Sequence, residues 1–351
     1  MSAYSLRTAL AAALLMGSAG RLQAQEAERR TIDGDKVAVF NLVGRMRVEP
    51  GSGSAVVVEI TRGGPDAGEL RINEVSRGET SALAVAYPGD RIVYSGLERR
   101  GRTTQNVNDD GTWGSGMGRG DRRVTISSTG DGTEAWADLR VLVPRGQTIS
   151  LHIGVGEVTV ANVEGNIAVD VGAASISTEN TRGTLLLDAG SGETTVRNQR
   201  GDLAVDAGSG NITLNDVDGG QIVVDAGSGR IAGDGLTARA VVIDAGSGSI
   251  NLGRVDAATM TLDVGSGNVD VQVSSSLRTL DIDGGSGNVT LRVPESIGAR
   301  IEAETGSGGV DVELPMQVRR VGRDRLSATI GDGSAMVTID SGSGRIRIVK
   351  G

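Results

Sequence analysis

The sequence predicts an all-β protein: a single-stranded parallel β-helix, or β-solenoid, of about ten short coils, preceded by an N-terminal cap region of β-strands. Three observations carry this. A short unit recurs at near-constant spacing, with Asp-Ala-Gly-Ser-Gly unaltered at 188–192, 206–210, 225–229 and 244–248. Glycine supplies 55 of the 351 residues, about twice the ~7% of ordinary chains. Aromatic residues are scarce, at one Phe, two Trp and three Tyr, so the interior is too thin for rings that each bury ~150–250 Å².

The elements follow in chain order. Residues 1–24 have the form of a secretory leader: Arg7, an apolar run from Ala9 to Met16, then small residues ending at Ala24. That run is shorter than the ~20 residues a membrane-spanning helix needs, and no later segment of the mature chain reaches that length. Residues 25–150 alternate apolar and polar positions in short runs, among them Val37–Phe40, Ala55–Ile60, Ala82–Ala86, Val124–Ser127 and Leu139–Val143, which predicts strands. Between them, residues 97–123 are polar and rich in Gly and Arg, which predicts a mobile loop, the alternative being a contact arm with Trp113 as an anchor for a partner.

From residue 151 to 351 the chain is periodic. Units open at Gly154, Gly172, Gly190, Gly208, Gly227, Gly246, Gly265, Gly285 and Gly306, spaced by 18 to 21 residues, with a last at Gly342. Within one unit Ile212 and Leu214 alternate with Thr213, Ile222 and Val224 alternate with Val223 and Asp225, and Val217 marks a third inward position. One such coil cannot bury its own apolar side, whereas stacked coils bury it continuously. Parallel crossovers favour right-handed coiling. The segment 315–351 is expected to close the far end, with the charged strand Arg345–Ile348 as a protected edge.

Simple counts exclude several chemistries. The chain has no Cys and a single His, which removes disulfides, thiolate metal sites and multi-His metal sites. The net charge of −9 disfavours nucleic acid and anionic membranes as partners. The Gly-Ser-Gly elements are not phosphate loops, because neither a helix nor a Lys follows them. His152 has no recognisable acid partner in the sequence and is expected to be an ordinary strand histidine.

Two outward rows stand out. Asp188, Asp206, Asp225, Asp244 and Asp263 each lie two residues before a unit's first Gly. Stacked carboxylates repel, so each Asp is expected to accept hydrogen bonds from the following Gly-Ser-Gly backbone; coordination of Ca²⁺ is the alternative. One strand position earlier run Leu186, Val223 and Val242 with Ala168 and Ala204, an apolar stripe expected to be covered by the N-terminal strands or the 97–123 segment, or else to meet a partner or a second copy.

The exported leader, the strand region ending Val141-Leu-Val-Pro144, and the ladder with Ser249-Ile250-Asn251 and Asn268-Val269-Asp270 resemble a bacterial family of adhesin-like proteins of unknown function related to head-GIN domains. The resemblance implies an exported β-helix of the periplasm or cell surface, and the family offers no catalytic residues to carry over. The sequence therefore predicts a non-catalytic envelope module for binding or scaffolding, with no cofactor and no metal. Its partner would be an unknown envelope component, a polysaccharide or a protein, with self-association possible. The alternative is a polysaccharide-active β-helix enzyme, for which the evenly spaced acids provide no distinguished acid–base pair.

Overall fold

Strand residues alternate between a shared interior and solvent, and this alternation builds the molecule. The computed structural model describes residues 27–97, 101–114 and 120–351; the leader expected at 1–24 lies outside them. Among the described residues the helical content is one 3₁₀ turn, Ala67–Glu69, and the remaining regular structure is strand, most of it in a solenoid-like stack.

From Gln147–Ala161 as far as Thr279–Ser286 and Val289–Val293, each strand of the periodic region pairs in parallel with its equivalent one repeat later. Ile212–Ser228 pairs with Ile231–Ser247, bringing Ile212 opposite Ile231, Val217 opposite Leu236 and Ile222 opposite Val241. The next strand, Ile250–Ser266, continues all three columns with Ile250, Val255 and Met260. These side chains are essentially inaccessible to water, and burying each contributes about 1.5–3 kcal/mol. Where the third column turns polar, at Thr181 and Gln199, the hydroxyl donates to Gln199 Oε1 at 2.6 Å and Gln199 Nε2 donates to the Gly183 carbonyl at 2.6 Å.

Glycine is a steric requirement of this stack. A Cβ on Gly210 would sit 1.9 Å from the Gly192 carbonyl oxygen, and its φ is +121°. Another corner is turned by residues in the left-handed region: Asn162, Asn180, Asn198 and Asp216, with φ of 60°, 54°, 52° and 53°. Asn tolerates that region better than most side chains, and here the amides link coil to coil, Asn180 Nδ2 donating to Asn162 Oδ1 and Asn198 Nδ2 to Asn180 Oδ1.

The stack continues into the N-terminal region. The strand Lys36–Pro50 lies parallel to Gln147–Ala161, with Val39 opposite Leu151 and Gly44 opposite Gly156. Thr80–Ala86 and Trp136–Val143 pair in parallel with its two halves. Beyond them pairing becomes antiparallel, through Val56–Gly63 and Arg71–Arg77. The segment expected as a mobile loop instead contributes the strand Arg102–Val107 and the start of Arg122–Ser127, which with Arg91–Val93 form a separate three-stranded sheet. Its inner residues Ile92, Val107, Val124 and Ile126 are buried, and apolar residues flanking the polar segment thus hold its strand in place.

The far end also departs from expectation. The last strands are not an edge: Ala335–Ser343 lies between Thr279–Ser286 and Ala299–Thr305, and Ile346–Lys350 lies between Val289–Val293 and Val310–Val312. An antiparallel hairpin, Gln317–Val321 with Arg325–Ile330, packs against Ala299–Thr305 and returns the chain into the stack. Insertion buries Val337, Ile339, Ile346 and Ile348 completely, which a terminal position open on one side would not.

Candidate binding face

On one outer face the stacking aligns two columns of side chains, two residues apart along each strand. The first runs Ser150, Ala168, Leu186, Ala204, Val223 and Val242. The second runs His152, Asp170, Asp188, Asp206, Asp225, Asp244 and Asp263, each opposite the next. It continues through Asp283 and Asp340 to Glu304, an order that follows the inserted strand rather than the chain. The five aspartates singled out in the sequence and the three apolar residues Leu186, Val223 and Val242 thus share one surface. Of these, Leu186, Val223, Asp188, Asp206 and Asp225 line a shallow groove of about 460 Å³ that starts at Ser150 and His152, and Val242, Asp244 and Asp263 continue the two columns beyond it.

The expected turn-type hydrogen bonds to the ladder do not form. Among the described residues the carboxylates of Asp188, Asp206, Asp225, Asp244, Asp263 and Asp283 accept no hydrogen bond from the protein. They sit mid-strand with side chains pointing straight out, while the nearby Gly N–H groups donate to the neighbouring coil, as Gly229 does to Ser247 O and Gly248 to Ser266 O. The capping role falls to the Asn after Gly-Ser-Gly: Asn211, Asn268 and Asn288 accept from backbone N–H groups of Arg230, Asn288 and Arg345 at 3.1, 2.9 and 3.0 Å.

Electrostatics follow from that arrangement. Partial desolvation, then the charges of Asp170 and Asp206, push the Asp188 carboxyl above its ordinary value, with His152 opposing. Asp263 is raised by desolvation and by Asp244 and Asp283. Asp340 is raised by desolvation and by Glu304, Asp283 and Asp281. Among the described residues relief comes at the two ends, where Asp170 Oδ2 meets His152 Nδ1 at 3.0 Å and Glu304 forms an ion pair with Arg325.

His152 therefore does have an acid partner. The signal was its position, one 18-residue repeat before Asp170. The ring is buried, stacked on Phe40 at 4.2 Å with planes 9° apart. Trp113, the anchor of the alternative contact-arm reading, is only 3% exposed and meets Phe40 edge-on at 5.3 Å. It is a lid over the first rungs, because burying an indole outweighs leaving it in water. The cover expected over the apolar stripe ends there. Leu186 and Val242 are 47% and 37% exposed.

Fold and face together define a class: an all-β, solenoid-like stack with a continuous apolar and acidic outer surface. The chain belongs to the Toastrack DUF4097 family, whose model matches residues 137–349. It is also similar to the crystal structure of a proposed cell adhesion protein from Clostridium sporogenes, at 14% identity and a TM-score of 0.18, covering 93% of this chain and 100% of that one. A proposed adhesin from Bacteroides fragilis is 10% identical, with a TM-score of 0.30 and coverage of 93% and 98%. No curated protein matches the chain.

Proposed function

We propose that this protein is a non-catalytic, exported, adhesin-like module of the cell envelope. In this proposal residues 151–351 form a right-handed rod of about ten coils, residues 25–150 close one end, and the partner binds on the outer face. The observation that carries the proposal is the exposure of Leu186 and Val242 beside Asp188, Asp206, Asp225 and Asp244, whose carboxylates have no hydrogen-bond partner among the described residues. A solvated sheet face has no folding reason to hold such a stripe. The regular pitch of the acids favours binding over catalysis, since Asp188 and Asp263 are shifted in the same direction by the same causes, whereas acid–base pairs need carboxyls of opposed character.

Cell fractionation with protease treatment of intact cells tests the location, and recovery of the chain in the cytoplasm refutes it. Adherence of cells carrying Leu186→Glu and Val242→Glu tests the face. Adherence is expected to fall with the protein folded and abundant, and unchanged adherence refutes the role.

A further inference from the structure

We infer that the exposed face takes a cationic amphipathic α-helix lying along the rod, its apolar stripe on Leu186, Ala204, Val223 and Val242 and its Lys or Arg side chains on Asp188, Asp206, Asp225 and Asp244. This rests on the role proposed above for that face and names the chemistry of its partner.

Pitch selects the helix. Stacked coils advance about 4.8 Å and an α-helix about 5.4 Å per turn, so one turn matches one coil. Over the four steps from Ala168 to Val242 the two drift apart by only about 2.4 Å. A strand laid along the same line repeats its side-chain direction every ~6.8 Å and drifts by about 8 Å. Width agrees as well: the columns lie two residues, or ~6.8 Å, apart, and a helix ~10–12 Å across spans both.

Charge selects the sign. Among the described residues, Asp188, Asp206, Asp225 and Asp244 have no protein hydrogen-bond partner and are held close together by backbone pairing, so a cation at each of these coils removes repulsion that their neighbours leave uncompensated. The face is also continuous with a surface the chain already uses for docking. Where the same two columns pass through Ala38 and Phe40, both are buried and Trp113 packs edge-on against Phe40, and the open groove starts at the next coil, at Ser150 and His152.

The test uses the full-length chain and a fluorescein-labelled amphipathic peptide of Leu and Lys, about 18 residues and ~27 Å long as a helix. Fluorescence anisotropy is expected to show saturable binding, and circular dichroism a gain of helix in the mixture. Leu186→Ser with Val242→Ser, and separately Asp188→Asn with Asp206→Asn and Asp225→Asn, are expected to weaken binding about tenfold or more, with melting temperatures showing each variant folded. The aspartate variant is also expected to lose most of the salt dependence. Absence of binding, equal binding to the apolar variant, or equal affinity for a scrambled peptide of the same composition would each overturn the inference. So would dimerisation of the chain through this face with exclusion of the peptide. If the adherence of Leu186→Glu/Val242→Glu cells falls but the peptide does not bind, the helical ligand is refuted and the binding face stands. Peptide binding with adherence unchanged supports the helical ligand and refutes the adhesive role.

Discussion

Replacing one ladder aspartate should make the protein more stable, against the usual direction of substitutions. Asp263 lies opposite Asp244 on one side and Asp283 on the other. At a coil spacing of about 4.8 Å each neighbouring pair of charges costs about 0.9 kcal/mol in water, about 1.7 kcal/mol for two. Physiological salt, with a Debye length of ~8 Å, reduces this to about 1 kcal/mol. Asp263→Asn keeps the shape and removes the charge, so urea denaturation at neutral pH should show a gain of about 1 kcal/mol.

The pH dependence fixes the mechanism. Burial and its two neighbours raise the Asp263 carboxyl in the folded protein, so the native state holds this proton more tightly than the unfolded chain. That contribution to stability is fully present below the unfolded value of ~3.9 and is lost as pH rises through the folded value. The advantage of Asp263→Asn should therefore vanish in acid, grow through that window, and shrink to about 0.3 kcal/mol in molar salt. An Asn variant no more stable than the parent at neutral pH, or one destabilised throughout, would refute the electrostatic account and imply that the carboxylate accepts hydrogen bonds.

Other substitutions test the stack itself. Gly210→Ala places a Cβ against the Gly192 carbonyl at positive φ and should cost about 3 kcal/mol or more in chemical denaturation. Asn180→Ala loses the amide ladder and puts Ala in the left-handed region at about 1–2 kcal/mol, whereas Asn180→Gly should cost clearly less. Removing residues 345–351 deletes Ile346 and Ile348 from between two strands, so about 3–6 kcal/mol should be lost, with aggregation seen by light scattering from the exposed edges; a truncated chain with parental stability would contradict the inserted position. Trp113→Ala should destabilise by about 3–5 kcal/mol, and a neutral result would contradict its role as a buried lid.

Much of the molecule was legible because its repeat is local in register. Gly208, Gly227 and Gly246 stack directly on one another, and Ile212, Ile231 and Ile250 do the same in the interior. Spacing and alternation along the chain therefore name the neighbours in space. The two columns of the candidate face follow from the same arithmetic, as does the pairing of His152 with Asp170 once the period is applied one coil earlier. The asparagine corner was equally available at 162, 180 and 198, but Asn there reads as an ordinary turn residue until its φ is seen.

What the sequence by itself determined is thus the identity of each coil: which residues face inward, where only glycine fits, and that the ladder is acidic. Which coil lies beside which at the ends was decided by the tertiary structure, because parallel backbone pairing accepts any strand of suitable length. Asp340 stands between Asp283 and Glu304 since threading the final strands into the stack buries both their sides. The extent of the open face was decided in the same way, by how far the buried Trp113 reaches along it. That is a contact between residues far apart in the chain, and no local pattern specifies it.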